Sequence, residues 1–189
     1  MAATAALLRE QGLRAMSIEG IAERAGVSKK TIYRWWPSKG VLALDAFYRE
    51  WAAAQRATPD TGNLERDLRA RMRAAVRVLA QPRLGSAVAA LIAEAQSDRE
   101  LVEAYETHVL AAQREQARTI FARAAARGEI APDGDVEAAI DLLQGALYLR
   151  LLHTHAPLDS AFADAVAALV AAGMRRPPGT CRRGAGPDD

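Results

Sequence analysis

The sequence SKKTIYRWWPSK, residues 28–39, combines four basic side chains with three aromatic ones and contains no acid. Its three lysines are all the lysines of the chain, and the other 22 basic residues are arginines. Basic side chains bind phosphates, and a short helix of this composition suits a groove of duplex DNA. The segment therefore predicts a nucleic-acid contact; the alternative is an ordinary solvated basic helix face.

The preceding residues 17–27, SIEGIAERAGV, predict a short helix that packs against this segment. Ser17 is a good N-cap, and apolar residues follow it at helical spacing. Gly26 lies where a glycine in a left-handed conformation ends a helix, and Ser28 caps a second short helix. Two short helices joined by a glycine turn form a helix-turn-helix, whose second helix enters the major groove.

Residues 18–47, IEGIAERAGVSKKTIYRWWPSKGVLALDAF, closely resemble the DNA-binding segment of the TetR family of bacterial transcriptional regulators. The family pattern reads roughly IA..AGVSKGTLYRHFPSKE.L. Three residues depart from it: Lys30 replaces a small residue, Trp35 replaces His or Tyr, and Gly40 replaces an acid. None of them disturbs the apolar positions, so the departures concern base preference and not the fold.

The resemblance implies an all-α protein, with an N-terminal three-helix helix-turn-helix domain and a C-terminal helical ligand-binding and dimerisation domain. It places Lys29, Lys30 and Thr31 against base edges. The residues that it places on phosphates are Ser17, Ser28, Tyr33, Trp35 and Lys39. Trp36 is assigned to the packed core. The implied partners are a double-stranded DNA operator, a second copy of the chain and a small-molecule effector.

The charge of the chain is distributed unevenly. Residues 1–50 carry eight basic and five acidic residues, whereas the remainder carries 17 and 18. A local basic surplus is typical of a DNA-binding module attached to another domain. No apolar run reaches the roughly 18 residues of a membrane span, and no secretory signal is apparent. The single cysteine, Cys181, cannot form an internal disulfide and is compatible with a reducing cytoplasm, where the chain is predicted to be located.

The N-terminal residues 2–11, AATAALLREQ, predict a first helix that ends at Gly12. In the resembled family this helix is usually longer and follows a basic arm. Here it begins almost at Met1, which leaves two interpretations open: the arm is absent, or the true N-terminus lies upstream.

The remaining sequence predicts helices and no strands. A capping-box pattern, Ser97-x-x-Glu100, opens the longest of them. The predicted helices cover residues 39–57, 64–80, 83–95, 98–127, 135–153 and 158–173. A polar loop at 58–63 marks the domain boundary. The expected units are a DNA-binding domain at 1–50, a ligand-binding and dimerisation domain at 51–174, and a disordered tail at 175–189.

The predicted helix at 135–153 carries apolar residues on two faces. One stripe contains Val136, Ile140, Leu143, Leu147 and Leu151; the other contains Leu142, Ala146, Leu149 and Leu152. A helix that is apolar on two sides buries both. Because the long helix of one chain covers only one side, the other side needs a partner. The resemblance implies that this partner is a second copy of the chain, in a homodimer through helices 135–153 and 158–173. Burial of both faces within one chain is the alternative.

Candidate effector residues are polar-tipped side chains within apolar stretches: Tyr105, His108, Gln144 and Tyr148. For each of them an ordinary hydrogen-bonded core position is an equal alternative. No nucleotide-binding or metal-ligand pattern appears, so neither a cofactor nor an enzymatic activity is predicted. The prediction is a DNA-binding repressor that releases a palindromic operator when a small apolar effector binds. Two alternatives are a regulator without an effector and a helical small-molecule-binding protein.

Overall fold

The computed structural model describes residues 1–54 and 58–175, and all regular elements within these ranges are helices, which confirms the all-α prediction. The elements are α1 (Ala2–Ala15), α2 (Ile18–Ala25), α3 (Lys29–Tyr33), α4 (Lys39–Ala54), α5 (Leu64–Leu79), α6 (Pro82–Ala95), α7 (Arg99–Tyr105), a π-helical turn (Glu106–Leu110), α8 (Ala111–Ala126), α9 (Val136–His153) and α10 (Ser160–Met174). The last residues of the predicted 39–57 helix and nearly all of the predicted tail lie outside the described residues.

The helix-turn-helix forms as its local sequence predicts. The Ser17 hydroxyl accepts a hydrogen bond from the Gly20 amide at 3.1 Å, which caps α2. Gly26 ends α2 with φ of 65°, a left-handed conformation that glycine adopts without a steric penalty. The Ser28 hydroxyl accepts from the Thr31 amide at 3.1 Å and caps α3. These three local interactions fix the turn between the two helices.

The first helix contains a kink at the predicted break. Gly12 has φ of 77° and ψ of 170°, and the chain then continues for one more turn to Ala15. Leu8 and Leu13, on either side of the kink, are both buried, as are Ile21 of α2 and Ile32 of α3. The kink therefore lets both parts of α1 contribute to one small core under the recognition helix.

The residue predicted to cap the N-terminus of the long helix was wrong. The side chain that caps α7 is Asp98, which accepts from the Leu101 amide at 3.1 Å, whereas the Ser97 hydroxyl donates to the Glu94 carbonyl. The helix is also interrupted between α7 and α8. There the Ala111 amide donates to the carbonyl of Glu106, five residues back, which is the hydrogen bond of a π-turn.

Helix α4 connects the helix-turn-helix to the larger helical body. It packs against α1 on one side and against α7 on the other. Gly40 lies buried at the second contact, where an added Cβ atom would come within 3.1 Å of the Leu101 side chain. The glycine that replaces an acid of the family pattern therefore permits α4 to begin close against α7.

Helix α9 buries one apolar face and exposes the other. Ile140, Leu143 and Leu147 are buried against the core. The opposite face is exposed: Leu142 by 64% and Leu149 by 53%. Leu169 of α10 is exposed by 74%. Within the described part of one chain, the leucines of the second predicted stripe are therefore exposed to solvent.

Among the described helices, none is by itself long and apolar enough to cross a membrane; α5 and α6 pass that test only as a pair, with a bend of 91° between them.

An ion-pair network joins α8 to the start of α9. Arg118 contacts the Glu137 carboxylate at 2.6 Å, and Arg114 bridges Glu137 and Asp141. The hydrogen bonds from Arg118 and Arg114 lower the pKa of Glu137 from its ordinary 4.5 to about 2. The folded protein therefore binds fewer protons at Glu137 than the unfolded chain between these values. The resulting stabilisation is present above pH 4.5 and is lost as the pH falls toward 2.

Glu137→Gln is accordingly expected to lower the melting temperature at pH 7, with the difference from wild type shrinking as the pH falls below about 4.5. Thermal unfolding followed by circular dichroism between pH 7 and pH 3 measures this difference. Glu103→Gln, which removes an exposed carboxylate from α7, is the matched control and should leave the melting temperature unchanged. A Glu137→Gln effect that is the same at every pH would contradict the assignment.

Candidate DNA-binding surface and buried polar cluster

The predicted DNA-contacting residues all lie in or beside the helix-turn-helix. Ser17 and Ser28 cap α2 and α3, Lys29, Lys30, Thr31 and Tyr33 belong to α3, Trp35 follows it, and Lys39 opens α4. Tyr33 is exposed by 53% and Trp35 by 69%. Together with the neighbouring lysines, these exposed rings give the surface the basic and aromatic composition expected of a DNA contact.

The three lysines differ in their surroundings. The Lys29 ammonium contacts the Glu19 carboxylate of α2 at 2.9 Å, which raises the pKa of Lys29 and lowers that of Glu19. The Lys39 ammonium donates to the Leu13 carbonyl at 3.1 Å. The Lys30 side chain is exposed and forms no hydrogen bond or ion pair with any described residue. Its ammonium group is thus available to DNA without breaking an existing contact.

The two neighbouring tryptophans have different roles. The Trp36 ring is half-buried, and its indole nitrogen donates to the Asp45 carboxylate of α4 at 3.1 Å. This bond ties the end of the recognition helix to α4, in agreement with the assignment of Trp36 to the core. The exposed Trp35 ring lies 5.8 Å from the guanidinium carbon of Arg34, within cation–π range. Trp35 therefore presents its indole outward on the basic surface.

Three of the four predicted effector residues meet in a half-buried polar cluster between α5, α7, α8 and α9. The Tyr105 hydroxyl donates to the Tyr148 hydroxyl at 2.8 Å. Gln144 approaches the side-chain oxygen of Gln113 at 3.5 Å. Arg71 of α5 donates to the Gln113 carbonyl at 2.6 Å and to the Gln116 side chain at 3.1 Å. The name "polar cluster" is used below for Arg71, Tyr105, Gln113, Gln116, Gln144 and Tyr148.

Burial governs the charges in the polar cluster. It lowers the pKa of Arg71 to about 10, so the guanidinium stays positively charged at neutral pH. Burial also raises the pKa values of Tyr105 and Tyr148, so both phenols stay neutral. The cluster is therefore a positively charged group among neutral hydrogen-bonding side chains.

Sequence reasoning missed Arg71 and Gln113. For Arg71 the sequence did contain a signal, because this residue occupies a position in an apolar stripe. The stripe has helical spacing and consists of Leu64, Leu68, Arg71, Ala75 and Val78. Gln113 offered no comparable signal, because its burial follows from the way α8 packs.

His108 does not join the polar cluster. It lies on the π-turn, is exposed, and lines a separate cleft of about 350 Å³. The other walls of this cleft are Trp35 and Trp36 beside the recognition helix and, from α4, Val41, Leu44, Asp45 and Arg49. The structure therefore divides the predicted effector residues between two places, one on each side of the π-turn.

A larger open groove, of about 780 Å³, runs between the end of α1, helix α6 and the end of α9. None of the predicted site residues lines it. Within residues 1–54 and 58–175, no group of three or more His, Cys, Asp or Glu side chains is arranged to hold a metal ion.

Two capped short helices with a basic, aromatic second helix, carried on an all-helical body, define a helix-turn-helix DNA-binding protein. Comparison with known families agrees with this class. A family model described as "Bacterial regulatory proteins, tetR family" matches residues 1–46, and one described as "Tetracyclin repressor-like, C-terminal domain" matches residues 58–170. The chain belongs to the TetR family of bacterial transcriptional regulators.

Individual relatives support the same assignment. The HTH-type transcriptional regulator YdeS of Bacillus subtilis (strain 168) is 36% identical over 148 residues, which cover 78% of this chain and 74% of the relative. The DNA-binding transcriptional repressor TetR of Mycobacteroides abscessus is 31% identical over 156 residues, which cover 82% of this chain and 81% of the relative. The crystal structure of the TetR family regulator SCO0332 superimposes with a TM-score of 0.82 at 38% identity. The superposition covers 92% of this chain and 95% of SCO0332.

The availability of Lys30 leads to a prediction about base preference. Lysine pairs best with the O6 and N7 atoms of guanine, so each half-site should contain a G·C pair at a fixed position. Lys30→Ala should cost about 1–3 kcal/mol and relax the preference at that base pair alone. Selection of binding sites from a random DNA pool by wild type and variant measures this.

Lys39→Ala is the matched control. It should weaken binding to all duplexes alike and reduce the slope of log K against log salt by about one unit per subunit. Identical selected sequences for wild type and Lys30→Ala would show that Lys30 contacts only a phosphate.

Proposed function

We propose that this TetR-family regulator is a homodimeric repressor that binds a palindromic operator and releases it when a small molecule binds the larger domain. The observation that carries the proposal is the exposed apolar face of α9 and α10, on the same chain as an exposed recognition helix. The relative from Mycobacteroides abscessus, a repressor by name, supports the repressor role.

The exposed face has the pattern of a helix-packing seam. Leu142, Gly145, Leu149 and Leu152 follow one another at spacings of three, four and three residues, the spacing of a seam between paired helices. Gly145 faces open space, so a partner helix can approach closely there. A second copy, related by a two-fold axis, covers this face with the same face of its own.

A two-fold dimer explains how one short recognition helix per chain reads an operator. Two such helices read adjacent major grooves when they lie about 34–36 Å apart, and the operator is then a palindrome. We include in the proposal the division into a DNA-binding unit at 1–50 and a ligand-binding and dimerisation unit at 51–174.

The π-turn provides a route from the larger domain to the recognition helix. Tyr105, immediately before the turn, is bonded to Tyr148 in the polar cluster. His108, within the turn, faces Trp35 and Trp36 across the cleft. An effector that displaces Tyr105 changes the turn and, through it, the position of the recognition helix. Because binding energies at coupled sites are reciprocal, DNA must then weaken effector binding by the same factor.

The dimer is tested by charge insertion on the two faces of α9. Leu149→Arg should give a folded, soluble monomer with strongly reduced operator affinity, because Leu149 is half exposed in one chain. Leu147→Arg should unfold the domain, because an unpaired charge in the core costs about 4 kcal/mol or more. Sedimentation and circular dichroism separate these outcomes.

Ala125→Arg, which adds a charge at an exposed position of α8, controls for charge alone and should remain dimeric. A Leu149→Arg protein that sediments as a folded dimer would show that α9 does not form the interface.

A further inference from the structure

We propose that Glu19 of α2 determines base specificity, and that it reads one G·C base pair together with Lys29 of α3. In this arrangement Lys29 donates hydrogen bonds to guanine, and the Glu19 carboxylate accepts one from the amino group of cytosine. The inference concerns DNA recognition, which follows from membership of the family. It needs neither the effector nor the repressor role proposed above.

The Glu19 carboxylate lies at the surface that the recognition helix presents. Its Oε1 atom is 2.9 Å from the Lys29 ammonium, although the two residues belong to different helices. Lys29 is the first residue of α3, and the first residues of a recognition helix contact base edges. The Lys29 side chain is 55% exposed and the Glu19 side chain 67%. Both charged groups are therefore accessible to the same base pair.

Both groups keep hydrogen-bonding capacity beyond their mutual contact. An ammonium group has three donors, and a carboxylate accepts at about four positions. Among the described residues, Glu19 provides the one side chain that bonds to the Lys29 ammonium, and Lys29 the one side chain that bonds to the Glu19 carboxylate. A base pair can therefore bind to both groups while the contact between them stays intact.

The negative charge of Glu19 requires compensation in a complex with DNA. Residues 28–39 contain four basic residues and no acid, a composition that suits a surface facing phosphates. A carboxylate brought to this surface is repelled by the phosphates, and it would lose its partner if Lys29 moved to one of them. The amino group of cytosine is a donor in the major groove, and glutamate is one of the side chains that accept from it.

The separation of the two groups matches the edge of a G·C pair. Guanine O6 accepts a base-pairing hydrogen bond from cytosine N4, so these two atoms lie about 2.9 Å apart. The Lys29 Nζ and Glu19 Oε1 atoms have the same separation, with the donor facing O6 and the acceptor facing N4. Guanine N7 gives the lysine a second acceptor. An A·T pair offers the two groups one acceptor and one donor, and therefore one contact fewer.

The first test is selection of binding sites from a random DNA pool by wild type, Glu19→Ala and Lys29→Ala. Both substitutions should relax the preference at the same G·C pair by about five- to 150-fold, at a position other than the one relaxed by Lys30→Ala. Glu10→Ala is the control, because it removes the carboxylate of another exposed ion pair, Arg24–Glu10 between α2 and α1. It should leave the selected sequence unchanged.

The second test removes the cytosine donor. N4-methylcytosine keeps base pairing and carries a methyl group in place of the amino hydrogen that faces the major groove. At the selected position it should weaken wild-type binding at least about fivefold and leave Glu19→Ala binding unchanged, as measured by fluorescence anisotropy. Glu19→Ala should also bind a non-selected duplex more tightly than wild type, because it removes a negative charge near the phosphates. Circular dichroism checks that the variants are folded.

The inference is overturned where Glu19→Ala selects the wild-type sequence, where the two substitutions relax different base pairs, or where the shared pair is not G·C. It is equally overturned where wild type tolerates N4-methylcytosine, since Glu19 would then act only by holding Lys29 in position. A wild-type protein that selects no sequence overturns it as well.

These outcomes are separate from those of the proposed function. A selected operator that lacks this G·C pair, bound by a dimer and released by a small molecule, would contradict the inference alone. A G·C pair that is read as described by a protein that is monomeric or never released would contradict the proposed function alone.

Discussion

The constraint on which the structure depends most is that α9 is apolar on two faces and its own chain covers only one. The covered face, through Ile140, Leu143 and Leu147, organises the core of the larger domain around α5, α8 and α10. The uncovered face leaves large leucines in water, which is unfavourable by about 25 cal/mol for each Å² of apolar surface. A partner that covers this face would also set the distance between two recognition helices, so oligomeric state and DNA reading are linked through one helix.

The polar cluster is a second feature of the larger domain, and the proposed change in helix arrangement depends on it. Most of the core is apolar, yet it contains a half-buried arginine, two hydrogen-bonded phenols and a glutamine with an unsatisfied amide. Such groups are costly unless each is paired, and they respond strongly to a new partner. The cluster borders a π-turn, whose wider hydrogen bonds are often found at functional positions in helices. The opposite side of the turn faces the tryptophans beside the recognition helix. Under the proposed function, a ligand in the core and DNA at the surface would therefore act on the same turn.

Features that are local in sequence could be predicted, and features that depend on packing could not. Ser17, Gly26 and Ser28 were identified correctly because a cap or a left-handed glycine is determined by a few neighbouring residues. The cap at the long helix was misassigned because Ser97 and Asp98 both carry capping side chains, and the choice between them depends on where α6 ends. The π-turn leaves no trace in hydrophobic periodicity. Since His108 lies on it, the sequence placed His108 with Tyr105 although the structure separates them.

The surface of the recognition helix shows the same difference between features that are local in sequence and features that depend on packing. Its composition predicted basic and aromatic exposure, which Tyr33 and Trp35 confirm. The different surroundings of the lysines were not predictable, because Glu19 and the Leu13 carbonyl reach them from other helices. The half-buried position of Arg71 was not predicted for a related reason: a charged residue in an apolar stripe is ordinarily expected to reach solvent.

The most direct test of the central claim, that the α9 faces hold two recognition helices one DNA turn apart, is operator affinity as a function of half-site spacing. The best selected duplex is lengthened between its half-sites by one to ten base pairs. The account predicts that affinity falls sharply when about five base pairs turn the half-sites to opposite faces of the duplex, since the dimer fixes their separation. An operator affinity that does not change with the half-site spacing would contradict this claim.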